Sequence, residues 1–248
     1  MIKEKLLEIV MWVRNFTREK FHSKNEDLPY YVTILISAVL FVIAMNAFVE
    51  LTDELAENEL QGVDKSVSEL IISFRCDSLT QYFTFVTHLG DRHAYIILTI
   101  LLAAYYLFKH RSWKFILQTT LVLLLATLSN ILLKQVINRA RPSLEHLVVV
   151  NTLSYPSGHA MSAMAFYGFL VYLCLRYRMR RWVRYLFITT LVLLILSIGV
   201  SRIYLGVHYP TDVAAGFIGG LIWVAFCAVV FNLFELLRRR GSSHNRGG

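Results

Sequence analysis

The chain has 248 residues, of which 56% are hydrophobic and only 17% are charged, whereas about 25% are charged in an ordinary soluble domain. This composition excludes a typical soluble domain and indicates a membrane protein with one main domain. The formal net charge of +8 does not indicate nucleic-acid binding, because the basic residues form short clusters between apolar segments. The three cysteines are isolated and indicate neither a disulfide framework nor a metal site.

The first 29 residues predict a peripheral amphipathic helix. Apolar residues recur every three or four positions between Leu6 and Phe16, and basic residues occupy much of the remainder. This pattern is typical of a helix that lies on the cytoplasmic membrane surface, and a soluble amphipathic extension fits it equally well. We expect no cleavable signal peptide, because this segment lacks an uninterrupted apolar region.

Six apolar stretches follow, each close to the ~20 residues that cross a bilayer as a helix. They cover about residues 30–49, 93–108, 115–133, 159–177, 185–200 and 213–237. Between the first two, an amphipathic pattern over 64–89 predicts short helices at the membrane surface. We therefore predict an all-α polytopic membrane protein, a six-transmembrane-helix bundle over residues 30–237 with short amphipathic helices on its extracytoplasmic side. Residues 238–248 predict a basic disordered tail.

The basic residues predict the orientation of the chain. With both termini in the cytoplasm, 18 of the 25 lysines and arginines fall on the inner side, as the positive-inside rule requires. This pattern predicts a multi-pass membrane protein with both termini in the cytoplasm. We expect it in the bacterial inner membrane. Four of the seven other basic residues belong to polar segments on the outer face, where basic residues are normally excluded. We expect these four to bind an anion: Lys134, Arg139, Arg141 and Arg202.

Three polar clusters meet this outer face. The first, Lys134–Pro142, follows the third apolar stretch, and the second, Tyr155–His159, precedes the fourth. The third, Ser201–Asp212, joins the fifth stretch to the sixth. Because the topology brings all three to the same depth, a compact bundle would let them form one site.

The clusters contain the groups that phosphate binding needs. Lys134, Arg141 and Arg202 could surround a phosphate, since arginine makes planar two-point contacts and lysine supplies a point charge. Ser157 and Gly158 precede a helix, where free backbone N–H groups and the helix dipole favour an anion. Taken singly, these residues also have structural explanations. Lys134 could extend its ammonium to the membrane interface from a helix end, Arg141-Pro142 could end a helix, and Ser157 could be an N-cap.

The same clusters contain the groups that phosphoryl transfer needs. His208 and His159 could divide the roles of nucleophile and acid between them. Asp212, four residues after His208, could hold one ring nitrogen so that the other faces phosphorus. A single histidine at a helix start is more often structural, and an aspartate after Pro210 is also an ordinary helix cap. The joint spacing and sidedness favour a catalytic site.

These motifs closely resemble the three-part signature of the type 2 phosphatidic acid phosphatases, membrane lipid phosphatases whose site resembles that of vanadium-dependent haloperoxidases. The matching motifs are Lys134-x6-Arg141-Pro142, Pro156-Ser157-Gly158-His159 and Ser201-Arg202-x5-His208-x3-Asp212. The resemblance covers about residues 64–237. It implies a metal-independent phosphatase without a cofactor, in which His208 forms a phosphohistidine, Asp212 orients it and His159 exchanges protons.

The resemblance also implies the substrate class, which is a phosphate monoester or pyrophosphate on a membrane lipid. Candidates are undecaprenyl pyrophosphate, phosphatidylglycerophosphate, phosphatidic acid and lipid A. In this interpretation Lys134, Arg141, Arg202 and the Ser157-Gly158 backbone hold the phosphate. Two alternatives are vanadate-dependent halide oxidation, which six hydrophobic stretches disfavour, and a non-catalytic lipid-phosphate-binding protein or transporter.

Overall fold

The computed structural model of the chain describes residues 26–110, 113–150, 152–177 and 179–244, together with Met11. All regular secondary structure in these residues is helical, which confirms the all-α prediction for them. The predicted amphipathic segment 1–29 lies almost entirely outside the described residues. From residue 26 onward the helices are α1 (Leu28–Ala56), α2 (Gln61–Ser73), α3 (Asp77–His88), α4 (Arg92–His110), α5 (Lys114–Ile137), α6 (Gly158–Arg176), α7 (Arg181–Tyr204) and α8 (Pro210–His244).

Five of these helices are long and apolar enough to cross a membrane, namely α1, α5, α6, α7 and the Pro210–Arg239 part of α8. The sixth predicted crossing falls on α4. The described apolar part of α4, Arg92–Tyr105, is a shorter helix, so this crossing stays a prediction. The amphipathic pattern over 64–89 forms the two short helices α2 and α3, as predicted.

The end of the chain differs from its prediction. Helix α8 continues to His244, so residues 238–244 are helical, whereas a disordered tail is predicted from 238. The run Arg238–Arg240 consists of strong helix formers without a proline, and nothing in it stops a helix that is already formed.

The chain divides into two compact units, residues 42–224 and residues 1–41 with 225–248. In the second of these, the rings of Phe41 and Phe226 pack with their centroids 6.0 Å apart. The unit 42–224 contains α2 to α7 and every predicted site residue. Within it α6 packs against α5 and α7, and α2 and α3 pack against α7. Tyr95, Phe166 and Ile198 belong to its buried core.

The ends of three helices position the polar clusters. Helix α5 ends at Asn138, whose left-handed conformation (φ 50°) stops the helix while its N–H donates to the Lys134 carbonyl. After α7 the chain reverses at Gly206 (φ 77°), where an added Cβ would lie 2.4 Å from the Glu145 carbonyl oxygen. The N–H of His208 then donates to the carbonyl of Arg202 at 3.2 Å. This reversal places the third cluster at the same end of the unit as the other two.

Candidate active site

His208 is fully enclosed, with a side chain only 2% exposed. Its Nδ1 lies 3.4 Å from Asp212 Oδ2, and its Nε2 lies 3.3 Å from Arg141 Nη1. Because arginine can only donate, this contact requires a lone pair on Nε2 and places the proton on Nδ1, toward Asp212. Complete burial outweighs the attraction of Asp212 and lowers the pKa of His208 to about 3. The ring is therefore neutral at physiological pH, with the lone pair on Nε2 directed toward Arg141.

Asp212 is fully buried and has a full set of donors. Its Oδ2 accepts a short hydrogen bond from Ser154 Oγ and one of 2.8 Å from the Tyr209 N–H, and its Oδ1 accepts from Arg139 Nη1 at 2.6 Å. Asp212 thus caps α8, since it lies in the first turn and reaches back to the backbone N–H that precedes Pro210. The same carboxylate holds His208, so the capping and catalytic interpretations are compatible.

Lys134 and Arg141 both point at the segment 152–154. The ammonium of Lys134 donates a short hydrogen bond to the Leu153 carbonyl and a second one, of 3.3 Å, to the Ser154 carbonyl. Arg141 donates through Nε to the Thr152 carbonyl at 2.6 Å and through Nη1 to the Val207 carbonyl at 2.5 Å. Its guanidinium is therefore fixed in orientation beside His208, which suits a group that must meet a phosphate in one geometry.

Arg202 and Ser157 each have a buried polar atom without a hydrogen-bond partner among the described residues, namely Nε of Arg202 and Oγ of Ser157. Arg202 Nη1 donates to Thr87 Oγ1 at 2.7 Å, and this bond anchors one side of the guanidinium. Ser157 occupies the N-cap position of α6, but its side chain makes no capping hydrogen bond. Buried polar groups are rarely left unpaired, so these two atoms are available to a bound anion.

The start of α6 leaves its backbone open. Gly158 is the first residue of the helix, and an added Cβ there would lie 3.0 Å from Asn130 Oδ1. Asn130 is buried and donates through Nδ2 to the Pro156 carbonyl at 3.0 Å, so it cannot move away easily. The first N–H groups of α6 therefore face the site across a glycine, which is the arrangement that favours anions.

His159 is paired with a residue outside the three clusters. Its Nε2 lies 2.8 Å from Asp91 Oδ1, and Asp91 Oδ2 lies 2.8 Å from Nδ1 of His88. The hydrogen bond to His159, despite the opposing effect of burial, lowers the pKa of Asp91 to about 2. Asp91 is thus an ionised carboxylate at one nitrogen of His159, which leaves Nδ1 of the ring for a substrate.

A cavity of about 1050 Å³ joins these groups. At one end it is lined by Lys134, Arg141, Gly158, His159, Arg202 and His208. Away from that end its walls are apolar side chains of α4 and α5, among them Ile96, Ile100, Leu124 and Ile131. Each of these four side chains is exposed. The cavity therefore has a cationic end and a long apolar flank.

The structure brings the eight predicted site residues together. Six line the cavity, and Ser157 and Asp212 lie directly behind it, joined by the Ser157 N–H, which donates to the Asp212 carbonyl at 2.9 Å. In the part of the chain that the structure describes, no group of three or more His, Cys, Asp or Glu side chains is placed to hold a metal ion.

Sequence reasoning missed four partners of these residues, which are Asp64, Asp91, Arg139 and Ser154. In the sequence, Asp64, Asp91 and Ser154 lie outside the three polar clusters, and Arg139 is one of the four outer-face cations. Only their predicted position on the outer side of the membrane could have suggested these four residues, since all of them fall near the outer ends of predicted helices. None has a spacing that identifies its partner.

Comparisons with known proteins give the family. A family model described as PAP2 superfamily matches residues 113–235. Phosphatidylglycerophosphatase B of Bacillus subtilis is 32% identical over 177 residues, which are 71% of this chain and 86% of that protein. A lipid A 1-phosphatase of Rhizobium johnstonii is 34% identical over 116 residues, 43% of each chain.

A solved structure agrees with these relatives. The crystal structure of a transmembrane PAP2-type phosphatidylglycerolphosphate phosphatase from Bacillus subtilis superposes with a TM-score of 0.72 at 30% identity. The superposition covers 77% of this chain and 95% of that one. With its three clusters gathered around one cavity and a relative that is 32% identical over 86% of its own length, the chain belongs to the PAP2 superfamily, the type 2 phosphatidic acid phosphatase family.

Proposed function

We propose that this protein is a membrane lipid phosphatase that cleaves a lipid phosphate through a phosphohistidine at His208, without a metal ion. The observation that carries the proposal is the tautomer of His208, whose lone pair lies on Nε2 at the cavity wall while Nδ1–H points toward Asp212. A buried, neutral imidazole in this orientation is a nucleophile ready for an anion that the adjacent cations attract.

In the first step, Nε2 of His208 attacks phosphorus and the bond from phosphorus to the lipid oxygen breaks. His159 gives its proton to the leaving oxygen, which departs as an alcohol. The charge that develops on the phosphoryl oxygens is stabilised by Lys134, Arg141 and Arg202 and by the N–H groups at the start of α6. Asp212 stabilises the positive charge that appears on the His208 ring as the phosphorus–nitrogen bond forms.

In the second step, water hydrolyses the phosphohistidine. The neutral ring of His159 takes a proton from the water as its oxygen attacks phosphorus, and the electrons of the breaking phosphorus–nitrogen bond return to Nε2 of His208. Inorganic phosphate leaves, and both histidines regain their starting protonation states. Asp91 stabilises the protonated form of His159, which is present before the first step and again after the second.

The cavity supports a lipid as the substrate. An amphiphile can place its phosphate at the cationic end while its apolar part lies along α4 and α5, whose side chains Ile96, Ile100 and Leu124 are exposed and line the cavity. A soluble phosphate would leave this apolar flank unused. Among the candidate lipids we propose phosphatidylglycerophosphate first, because the relative of that activity matches over 86% of its own length.

We further propose that α4 completes a six-helix topology and that the site faces the extracytoplasmic side. Cys76 tests on which side of the membrane the site lies, because this cysteine is free and exposed and lies between α2 and α3. In a variant with Cys174 and Cys227 changed to serine, a membrane-impermeant maleimide should label Cys76 in intact cells. Labelling only after lysis would place the site on the cytoplasmic side.

The activity is tested with purified protein in detergent and a panel of phosphatidylglycerophosphate, phosphatidic acid, lipid A 1-phosphate and undecaprenyl pyrophosphate. Wild type should release inorganic phosphate from at least one of them, and His208→Ala should release none. Acid-quenched reactions with labelled substrate should contain acid-labile phosphoprotein in wild type only. If wild type binds these lipids but cleaves none, the protein is a non-catalytic binder and the proposal fails.

A further inference from the structure

Two buried carboxylates and a partly buried guanidinium form a continuous chain of charges behind His208. Arg139 donates through Nη1 to Asp212 Oδ1 at 2.6 Å and through Nη2 to Asp64 Oδ2 at 2.6 Å, so one guanidinium bridges two carboxylates. The side chain of Asp64 is 2% exposed and that of Asp212 is fully buried. Thr211 joins the same network, since its N–H and its hydroxyl both donate to Asp64, at 2.9 and 2.7 Å.

Arg139 does not face the substrate. The reaction cavity is lined by Lys134, Arg141 and Arg202, whereas Arg139 and Asp64 line a second cavity of about 790 Å³. The Arg139 guanidinium also stacks on the Tyr209 ring, with its carbon 4.2 Å from the ring centroid. The Nη atoms of Arg139 donate to Asp212, Thr211 and Asp64, and Tyr209 covers one face of the guanidinium, so this arginine is held on the side of the site away from the reaction cavity.

The chain of charges has a specific electrostatic consequence. Two carboxylates and one guanidinium carry a net charge of −1, which matches the single positive charge that the His208 ring acquires on phosphorylation. Without Asp64, Arg139 would neutralise Asp212 and the new charge on the ring would lack a counter-charge. Without Arg139, two buried carboxylates would repel each other, and one of them would bind a proton at a higher pH.

Burial by itself lowers the pKa of Arg139, but the attraction of Asp212 and the hydrogen bond to Asp64 outweigh it and raise that pKa. The guanidinium thus stays charged throughout the working pH range. The bridge is also geometric, because α2 carries Asp64, the segment after α5 carries Arg139 and the first turn of α8 carries Thr211 and Asp212. Three separate elements fix the one carboxylate that orients the nucleophile.

We infer that Asp64 and Arg139 are positioning residues for the hydrolysis, which hold the Asp212 carboxylate in place and set its effective charge toward His208. The inference rests on the proposed function of His208 and adds two residues that touch neither substrate nor the reacting atoms. It also gives α2 a role in the reaction, as the helix that carries the outer end of this chain.

The test compares Asp64→Asn, Arg139→Gln, Arg139→Lys and the double variant Asp64→Asn/Arg139→Gln, with phosphatidic acid in detergent micelles as the probe. Asp64→Asn should lower kcat about 10-fold and leave KM within about twofold, because a charge-assisted bond is lost away from the substrate. Lys65→Gln is the matched control, since Lys65 is the exposed neighbour of Asp64 and lines the same second cavity. It should match wild type.

The charge argument makes a sharper prediction for Arg139. Arg139→Gln should lose more activity than Asp64→Asn and should gain a new ionisation in its pH–kcat profile, with activity falling as the pH falls through it. The double variant should be more active than Arg139→Gln and should lack this ionisation, because the net charge returns to −1. Arg139→Lys should keep the wild-type profile at reduced kcat. A wild-type profile for Arg139→Gln, or strictly additive losses in the double variant, would overturn the inference.

Orthovanadate affinity, measured by thermal shift, separates this inference from the proposed function. Orthovanadate resembles the five-coordinate phosphoryl transition state and its binding does not require turnover, so Asp64→Asn should weaken that binding about 10-fold while Lys65→Gln should leave it unchanged. If no lipid is hydrolysed by wild type, the proposed function fails and vanadate still tests the positioning pair. If Arg139→Gln does not fold, Asp64→Asn and Arg139→Lys decide the outcome, and unchanged kcat and vanadate affinity in both would refute it.

Discussion

Replacing Asp91 by asparagine should impair the proton transfers of His159, the first of which is protonation of the leaving group. Asp91 is the only described carboxylate in contact with His159, through a 2.8 Å contact with Nε2. Asparagine keeps the size of the side chain and one oxygen but removes the charge. The protonated form of His159 therefore loses stabilisation, while the cations that hold the phosphate are unchanged.

The magnitude follows from the pKa of Asp91, which the hydrogen bond to His159 lowers from 3.8 to about 2 against the effect of burial. At 1.36 kcal/mol per pKa unit this corresponds to ~2.4 kcal/mol. The carboxylate is 36% exposed and is shared with His88, so we reduce the estimate for solvent screening to ~1.4 kcal/mol. We expect kcat to fall about 10-fold, against about 10²-fold to 10⁴-fold for His159→Ala.

The assay compares a lipid phosphate with p-nitrophenyl phosphate, whose leaving group needs little acid assistance. In the burst phase, which reports the first step, Asp91→Asn should slow the lipid about 10-fold and p-nitrophenyl phosphate less than about twofold. His88→Gln is the control, because His88 is 64% exposed and touches only the far oxygen of Asp91. Equal losses for both substrates would refute the assignment of Asp91 to leaving-group protonation.

Three further outcomes are expected. Gly158→Ala should weaken orthovanadate binding about 10-fold, since its Cβ would crowd Asn130 at the anion site, whereas Gly62→Ala, with open space around it, should not. Because the pKa of His208 is about 3 in the folded protein and 6.5 in the unfolded chain, the unfolded chain binds more protons, and the free energy of unfolding should fall by ~2 kcal/mol between pH 7 and pH 5. His208→Gln should lose that pH dependence in thermal unfolding scans. Excess EDTA should leave phosphate release intact and orthovanadate should suppress it; strong inhibition by EDTA would contradict the metal-independent chemistry.

The main features of the site can be predicted from sequence because polar residues at the ends of apolar stretches are rare. Lys134, Arg141, Arg202 and the two histidines stand out against long runs of leucine, isoleucine and valine. Once the stretches are placed, sidedness brings the polar ends together without any knowledge of packing. The all-helical class and the short helices over 64–89 follow from the same hydrophobic periodicity.

The partners of these residues could not be predicted because they depend on where helix ends meet. Spacing indicates that His208 and Asp212 share one turn, but nothing in the spacing links Asp91 to His159, 68 positions away. Arg139 is one of several cations in its cluster until the structure shows which of them faces the cavity. The prediction for the end of α8 was wrong for a simpler reason. Composition suggested a disordered tail from residue 238, but the helix that precedes it continues through Arg238.

The carbonyls of residues 152–154 that meet Lys134 and Arg141 have a consequence for the resting enzyme. Without these carbonyls, the three cations Lys134, Arg141 and Arg202 would repel one another unless an anion were bound. A tightly bound phosphate product would then inhibit the enzyme. By solvating two of the cations internally, the backbone keeps the site stable after phosphate leaves and limits its grip on free phosphate. In the proposed mechanism, tight binding is then reserved for the five-coordinate transition state, in which the phosphoryl oxygens compete best with the carbonyls. The carbonyls of residues 152–154 thus occupy, in the resting state, hydrogen-bond donors that the phosphate product would otherwise bind.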